Sequence, residues 1–270
     1  MAKLASSTPH LVSTLSSSLT SSTASPSEIN SALSCFTSYL LSGQFSHTEL
    51  TTLYPLLLRH LSNSETTIAA CTAVEEIVER SSGVSSSGGA VRFIGRAKAD
   101  ELVRGWATSE WVRGIIGAAV DEGEADDEAL AVMKLLCAIS EHLITFLFAE
   151  PPKASAVPVL TFTSPEVREL FVLLLAITSF PGHTGEAYNI NEMAGGVWMA
   201  MQEESMDAGL VFGEGEGREG RRGREADWEF VRTVFSALAD GLRQRSQWPS
   251  FEVVSERPKG SYIAASQGRC

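Results

Sequence analysis

The chain has 270 residues, a formal net charge of −12 at pH 7 and a sequence pI near 4.9. Hydrophobic residues make up 44% of it and charged residues 20%, which is typical of a soluble, globular protein. Because a protein that binds a phosphate backbone needs a basic face, the net charge argues against nucleic acid as a direct partner and favours basic proteins.

The first third of the chain predicts helices separated by short turns. Residues 1–27 are rich in Ser and Thr and predict either a frayed helix or a disordered segment. Two apolar stripes at helical spacing follow, and a third begins after Asn63-Ser64. Pro55 lies in the second of these helices, so we expect that helix to start late or to kink. The stripes are Ile29, Ala32, Leu33, Phe36, Leu40; Leu50, Leu53, Tyr54, Leu57, Leu61; and Ala70, Cys71, Val74, Ile77, Val78.

Loops and shorter helices come next. The Ser/Gly-rich residues 81–90 predict a loop, a short helix surrounds Trp106, and Ser109 can cap another helix. The acidic run from Asp121 to Glu128 predicts a solvated loop with a helix cap, and the alternative is a contact for a basic partner. The apolar positions of the two helices are Leu102, Val103, Trp106 and Trp111, Ile115, Ile116, Ala119.

Three long amphipathic segments between Asp126 and Glu204 organise the chain. The first, from Asp127 to Phe148, carries two adjacent apolar stripes, so we expect it to contact neighbours on two sides. Asp126 or Asp127 can cap it. Its apolar positions are Ala129, Val132, Leu136, Ile139, Leu143, Phe146 and, beside them, Met133, Cys137, Ile144.

The second and third segments are marked by their ends and by a glycine pair. Ser164 suits the N-cap of the second segment, and Pro165 suits its first helical position. In the third segment Gly195-Gly196 costs roughly 1 kcal/mol of helix propensity per residue against Ala, which suggests a close approach of two helices. Pro151-Pro152 and Pro181-Gly182 end the first two segments, and the third buries Ile190, Met193, Ala194, Val197, Trp198 and Met201.

This succession of helix, short turn and helix predicts an all-α fold, specifically a HEAT-repeat solenoid of antiparallel helix pairs over residues 28–249. Flexible insertions are expected near residues 81–90 and 213–225, and an unstructured tail over residues 250–270. A last apolar stripe lies between them, at Trp228, Val231, Phe235, Leu238 and Leu242.

Several short motifs resemble those of one protein family. They occur in order as Ser140-Glu141-His142, Phe180-Pro181-Gly182-His183, Asn191-Glu192, Trp198 and Gln202-Glu203-Glu204. This order and spacing is similar to the central part of the β-karyopherins of the importin-13 and transportin-SR branch, which are nuclear transport receptors built from HEAT repeats. The resemblance is clearest from about Leu130 to Glu204, and it continues more faintly from about Ile29 to Pro249.

The resemblance implies a function without covalent chemistry. It implies binding of a protein cargo with basic import signals, of the GTPase Ran in its GTP form and of nucleoporins, with shuttling between nucleus and cytoplasm. Because family members are several times longer, we expect a fragment or a short product in which Ran binding is weakened and exposed apolar ends favour aggregation. A generic helical scaffold without a transport role remains the alternative.

No motif in the sequence supports an enzyme, a cofactor site or a metal site. Gly215-Glu216-Gly217-Arg218-Glu219-Gly220 matches a dinucleotide-binding spacing, and Asp240 falls about twenty residues on. However, Asp240 lies in a helical stripe instead of a strand, and the glutamates of the motif would repel a pyrophosphate. The histidines His10, His47, His60, His142 and His183 show no metal-ligand spacing, and no serine lies in a nucleophile-elbow setting.

The cysteines and the apolar runs point to a reducing compartment without membrane insertion. Cys35, Cys71, Cys137 and Cys270 show no paired spacing and predict buried thiols. The longest uninterrupted apolar run, near Phe171 to Ile177, is shorter than the roughly eighteen residues of a membrane span.

Overall fold

The computed structural model describes residues 8–43, 45–81, 93–149, 158–180, 185–207 and 225–246. Within these ranges the regular elements are helices and no strand occurs, so the fold is all-α, as predicted. The helices are α1 (Thr8–Thr20), α2 (Pro26–Leu41), α3 (His47–Leu58), α4 (Thr67–Ser81), α5 (Arg96–Leu102), α6 (Glu110–Glu122), α7 (Asp127–Phe148), α8 (Pro165–Thr178), α9 (Gly185–Met193), α10 (Gly195–Asp207) and α11 (Glu225–Ser246); a π-helical turn, Val103–Ala107, continues α5.

Side-chain caps fix where several helices begin. Ser25 and Ser46 each form a capping box with the glutamate three residues on, so that hydroxyl and carboxylate satisfy two otherwise free amides. In the first box the backbone N–H and the hydroxyl of Ser25 donate to Glu28, and both bonds lower the pKa of Glu28.

Two of the predicted N-caps, Ser109 and Asp126, form the expected hydrogen bond, and the third, Ser164, does not. Ser109 and Asp126 each accept a hydrogen bond from the backbone amide three residues on, which confirms the prediction. Ser164 stands at the N-cap of α8, but its hydroxyl accepts the amide of Thr161 in the preceding turn instead of a helix amide.

The helices α2, α4, α7 and α10 form a first row, in which each packs against the next. The side-chain amide of Asn30, near the start of α2, donates to the carbonyl of Glu65, just before α4, at 2.8 Å. At the other end, Arg80 in the last turn of α4 donates to the carbonyl of Leu41, the last residue of α2, at 3.1 Å. The two helices therefore run in the same direction.

The same direction continues from α4 to α7. The charges of Glu75 and Lys134 interact, and those of Glu79, one turn further along α4, and Glu141, two turns further along α7, interact as well. Positions thus advance together on the two helices, as parallel neighbours require.

A second row consists of α1, α3, α5 with its π-helical turn, α6, α8 and α11. α1 packs on α3, α8 packs on both α6 and the π-helical turn, and α11 packs on α8. Lys98 of α5 lies 5.8 Å from the ring centroid of Tyr54 on α3, and the ring of Phe93 lies between these helices. The rows pack face to face through consecutive helices such as α3 with α4 and α6 with α7.

Helix α7 is the centre of the core. It contacts α4, α5, α6, α8, α9 and α10, which confirms that it has neighbours on more than one side. Met133, Ile144 and Leu136 are all buried. By length and composition it is also the one described helix that could cross a membrane, but 61% of its most apolar window is buried inside the protein. Its hydropathy is therefore that of a core helix.

The third central segment is two helices, not the predicted single one. α9 ends at Met193, and α10 begins at Gly195 after a turn at Ala194. α9 packs on α7 and α8, whereas α10 packs chiefly on α7. The low helix propensity of Gly195 and Gly196 makes this break inexpensive.

Two other local predictions need correction. α3 begins at His47, well before Pro55, so the predicted late start is wrong; Pro55 lies on the exposed side, where the carbonyl that lacks its usual amide can be hydrated. The short helix around Trp106 begins earlier, at Arg96, and continues as a π-helical turn.

Some predictions fall outside the described residues. These are the loop after Ser81, the prolines near residues 151 and 181, the insertion near residues 213–225 and the tail over residues 250–270.

Candidate functional site

A groove of about 870 Å³ runs across α4, α7 and the α9–α10 pair, on the first row of helices. Six glutamates line it and only two basic side chains, which leaves a formal excess of four negative charges. These residues are Glu75, Glu76, Glu79, Arg80, Lys134, Glu141, Glu203 and Glu204. We call this surface the acidic groove.

One of the two basic side chains of the groove is already engaged within the protein. Arg80 forms an ion pair with Glu76 one turn earlier on α4, and it also donates to the carbonyl of Leu41. Lys134 faces Glu75, whose pKa its charge lowers in part. The negative charge of the groove is therefore least neutralised around Glu141, Glu203 and Glu204.

The carboxylates of the groove disfavour one another's charge. Burial, followed by the charge of Glu79, raises the pKa of Glu75. Burial, then Glu76 and Glu141, raises the pKa of Glu79, and burial, then Asp207 and Glu203, raises that of Glu204. A cation placed among them would favour the charged forms and reverse these shifts.

His142 lies in the wall of the groove and is 6% exposed. Its Nε2 donates to the carbonyl of Ile94 at 2.7 Å, so in the neutral ring Nδ1 is an acceptor. No described residue donates to that nitrogen. The ring also packs edge-on against Phe146, with the centroids 5.1 Å apart, which fixes its orientation.

The glycine pair brings α10 close to the groove wall. A methyl group on Gly196 would lie 2.7 Å from the Oε2 atom of Glu141, so any larger residue would displace this carboxylate. At Gly195 a methyl group would meet nothing within 4 Å, so the only contact found at the predicted close approach is that of Gly196 with the side chain of Glu141 on α7.

The thiol in the groove wall is not a nucleophile. Burial, followed by the charges of Glu141 and Glu75, raises the pKa of Cys137 to about 12. Because the thiolate is the reactive form, this cysteine is unreactive at neutral pH. Cys35 and Cys71 are free thiols as well; Cys71 is buried as predicted, whereas Cys35 is only half-buried.

The sequence predicts no site residues, yet the motifs of the family resemblance supply part of this groove. Glu141, His142, Glu203 and Glu204 come from those motifs and line it together. The sequence analysis did not identify the glutamates of α4 as site residues. Their spacing places them on one helix face, but only the packing of α4 on α7 shows that this face lies opposite Glu141.

Other residues of the same motifs serve packing. Ser140 is buried and donates its hydroxyl to the carbonyl of Leu136. Trp198 donates its indole N–H to the hydroxyl of Thr178 on α8 at 2.8 Å, which ties the two rows together. Pro181, Gly182 and His183 lie outside the described residues.

A second cluster of buried charge is structural. Asp100 on α5 accepts the backbone amide of Leu160, while Arg96 donates to the carbonyl of Leu160 and Arg104 to that of Pro158. Burial raises the pKa of Asp100, and the amide of Leu160 and the two arginines partly offset this effect. The cluster holds the segment that leads into α8.

The described histidines and carboxylates were compared with the requirements of a metal site and of a catalytic site. It contains no group of three or more His, Cys, Asp or Glu side chains placed to hold a metal ion. His47 packs edge-on against Phe93, and the Nε2 of His60 bonds to the carbonyl of Leu19. A helical enzyme would need a polar pocket with shifted pKa values, and the acidic groove is such a pocket, since the pKa values of Glu75, Glu79 and Glu204 are raised in it.

The acidic run from Asp121 to Glu128 lies apart from the acidic groove. Asp121 and Glu122 end α6, Gly123 closes it with φ of 71°, and Asp126 caps α7. The solvated turn with a helix cap is therefore the interpretation that the structure supports. A contact with a basic partner at this turn stays a prediction.

Comparisons of the chain with protein-family models, with curated proteins and with solved structures gave no significant match. The candidate site is therefore defined by its geometry and charge.

Proposed function

We propose that this protein is a HEAT-type helical solenoid that binds a basic segment of a partner protein in the acidic groove. The observation that carries the proposal is the groove itself, with six glutamates against two basic side chains on one face of three neighbouring helices. A binding role fits this surface better than catalysis, because the groove offers charge and length but no activated nucleophile.

The arrangement of the helices supports the solenoid. α2, α4 and α7 run parallel in one row, and helices between them in the chain form the other row. Stacked helix pairs produce this pattern, in which each pair contacts mainly its neighbours. One face of such a row is then available for an extended ligand.

The spacing of the glutamates suits a short extended peptide. Glu141 lies against Gly196, and Glu203 follows seven residues later on α10. At 1.5 Å per residue this is roughly 11 Å along the helix, the length of about three residues of extended chain. Two or three lysine or arginine side chains could thus pair with the groove at once.

The transport role rests on the resemblance to β-karyopherins. It implies that the basic segment belongs to an import cargo, that Ran-GTP and nucleoporins are further partners, and that the protein shuttles between nucleus and cytoplasm. The mechanism would be a coupling of two binding free energies, in which Ran-GTP and cargo favour different curvatures of the solenoid. A helical scaffold outside nuclear transport would use the same groove without that coupling.

The groove is tested by the triple variant Glu141→Gln, Glu203→Gln, Glu204→Gln, with a fluorescein-labelled nonapeptide of arginine as the probe. Each lost charge pair is worth roughly 0.2–1 kcal/mol, so we expect the dissociation constant to rise about 3- to 100-fold, with a steep salt dependence in the unmodified protein. Fluorescence anisotropy measures this constant. A matched control replaces the exposed residues Glu101, Glu122 and Glu229 by Gln.

The control distinguishes binding in the groove from attraction by the net charge of the protein, because both variants lose three negative charges. Equal weakening in both would show that the peptide senses only net charge, which would contradict the groove as the site. Adding Ran-GTP to the protein–peptide complex tests the transport role: release of the peptide supports it, and unchanged occupancy supports the helical scaffold.

A further inference from the structure

We propose that the basic segment bound in the acidic groove continues along α4 into a second groove, between α2 and α4, whose hydroxyl oxygens accept hydrogen bonds from its side chains. This inference rests on the proposed function, because it extends the binding site of the same partner. The second groove has a volume of about 480 Å³, and Thr37, Ser38 and Thr72 contribute hydroxyls to its lining. We call it the hydroxyl groove.

The hydroxyl groove offers acceptors of hydrogen bonds. Thr37 and Ser38 on α2 and Thr72 on α4 each donate their proton to the backbone carbonyl four residues earlier, at 2.9–3.1 Å. A hydroxyl has one proton and two lone pairs, so these oxygens are left as acceptors. Glu65 is the one charged side chain among the described residues that line this groove, and an ionised carboxylate only accepts.

These acceptors are open to an incoming ligand. Ser38, Glu65 and Thr72 are exposed, and Thr37 is half-buried. A ligand that matches them has to supply donors. A guanidinium group carries five N–H donors and an ammonium group three, and neither has an acceptor. Arginine and lysine side chains therefore match the hydroxyl groove as well as the acidic groove.

Ile68 supplies an apolar contact for the same side chains. It lines the hydroxyl groove and is 46% exposed. Arginine and lysine carry their charge on a methylene stem, and such stems pack on apolar surface while the charged end stays among polar groups. An exposed isoleucine beside these acceptors thus suits a long basic side chain.

The two grooves follow one another along the same face of α4. Ile68 and Thr72 line the hydroxyl groove, and Glu75, Glu76 and Glu79 line the acidic groove. Positions three or four residues apart share a helix face, so these side chains form one stripe. From Ile68 to Glu79 the stripe covers eleven residues, or roughly 16 Å, the length of about five residues of extended chain. A nonapeptide is long enough to occupy both grooves.

The test uses two labelled probes, the nonapeptide of arginine and triarginine, which is long enough for the acidic groove alone. The variant is Thr37→Val with Thr72→Val, because valine has the shape of threonine without the acceptor oxygen. We expect the dissociation constant of the nonapeptide to rise about 3- to 10-fold and that of triarginine to stay unchanged. Fluorescence anisotropy measures both constants.

A matched control keeps the result specific. Thr51 and Thr52 on α3 are exposed and donate to their own helix in the same way, but they lie in the second row. The variant Thr51→Val with Thr52→Val should bind both probes as the unmodified protein does. Hydrogen–deuterium exchange is the second measurement: the nonapeptide, unlike triarginine, should slow exchange in α2 and in the first turns of α4.

Failure of this inference can be told apart from failure of the proposed function. If the nonapeptide binds the Thr37→Val, Thr72→Val variant as tightly as the unmodified protein, the acidic groove stands and its extension is wrong. Equal weakening in the α3 control, or equal weakening of triarginine, also overturns the extension. If neither probe binds the unmodified protein, both proposals are overturned.

Discussion

Ionised glutamates in the acidic groove lower the free energy of unfolding of the protein. Glu75 is half-buried on α4, and Glu79 lies one turn further along in a more exposed position; burial together with like charges raises the pKa of each. Keeping them ionised near neutral pH therefore opposes folding. Surfaces that bind charged partners often carry such a cost, because the partner relieves it.

Glu75→Gln should stabilise the protein at neutral pH. Since the folded pKa of Glu75 lies above its ordinary value of 4.5, the stability linked to this group is complete below about pH 4.5 and is lost as the pH rises through the folded pKa. Gln removes that loss; because Glu75 is only half-buried and solvent screens its charge, we expect a modest rise of the melting temperature at pH 7.5, of about 1–2 °C. Thermal unfolding at pH 5 and at pH 7.5 measures the effect.

The difference between variant and unmodified protein should shrink as the pH falls towards 5. Glu76→Gln is the comparison, because Glu76 pairs with Arg80 and its replacement should lower the melting temperature. A Glu75→Gln protein that melts lower at pH 7.5, or whose advantage is the same at both values, would contradict this assignment.

At the scale of elements, short polar clusters position helices that are distant in the sequence. Asp100, Arg96 and Arg104 lie on α5 and its π-helical turn, and they bind the backbone of residues 158–160 just before α8. Arg104 also pairs with Glu166 at the start of α8, at 3.5 Å. The second row is thus held by polar contacts as well as by apolar packing.

Asp100→Ala should destabilise the fold by about 2–4 kcal/mol. The change removes the acceptor for the buried amide of Leu160 and leaves Arg96 without its neighbouring carboxylate. Urea unfolding followed by circular dichroism measures the loss. Glu101→Ala, at the exposed neighbouring position, should change stability by less than about 0.5 kcal/mol; an equal loss in both variants would refute the role of the cluster.

Sequence reasoning succeeds for elements whose signals are local. The bounds of α7 follow from its long stripe and from Asp126, and Ser109 marks the start of α6, because a cap and a periodic face lie within one helix. The break at Ala194 could not be placed, since whether a helix continues past two glycines depends on which neighbours its two halves contact. The π-helical turn after Leu102 is likewise decided by packing.

The candidate site illustrates the same limit. In the sequence, Glu203 and Glu204 are distinguished only by their resemblance to a β-karyopherin motif. The glutamates of α4 have the pattern of an ordinary solvated helix face. Their charges combine because α4, α7 and α10 lie side by side, at separations of more than fifty residues along the chain. A cluster of charges contributed by several helices cannot be predicted from the sequence pattern of any one helix.

At the scale of the molecule, the described helices stack in chain order in two rows, and several of them leave apolar side chains exposed. Met199, Met206, Trp228 and Leu242 are exposed large hydrophobic side chains on α10 and α11, and Leu41, Ile68 and Val172 are exposed on α2, α4 and α8. The expected tendency to aggregate stays a prediction, and it concerns a different surface from the acidic groove.

The central claim is that a basic segment binds across α4, α7 and α10. Hydrogen–deuterium exchange with and without the arginine nonapeptide tests it most directly, because the method locates binding along the chain. We predict slower exchange in the last turns of α4 and α10 and in the part of α7 around Glu141, with α1, α3 and α11 unchanged. Protection confined to the second row, or to the acidic turn between α6 and α7, would contradict the account.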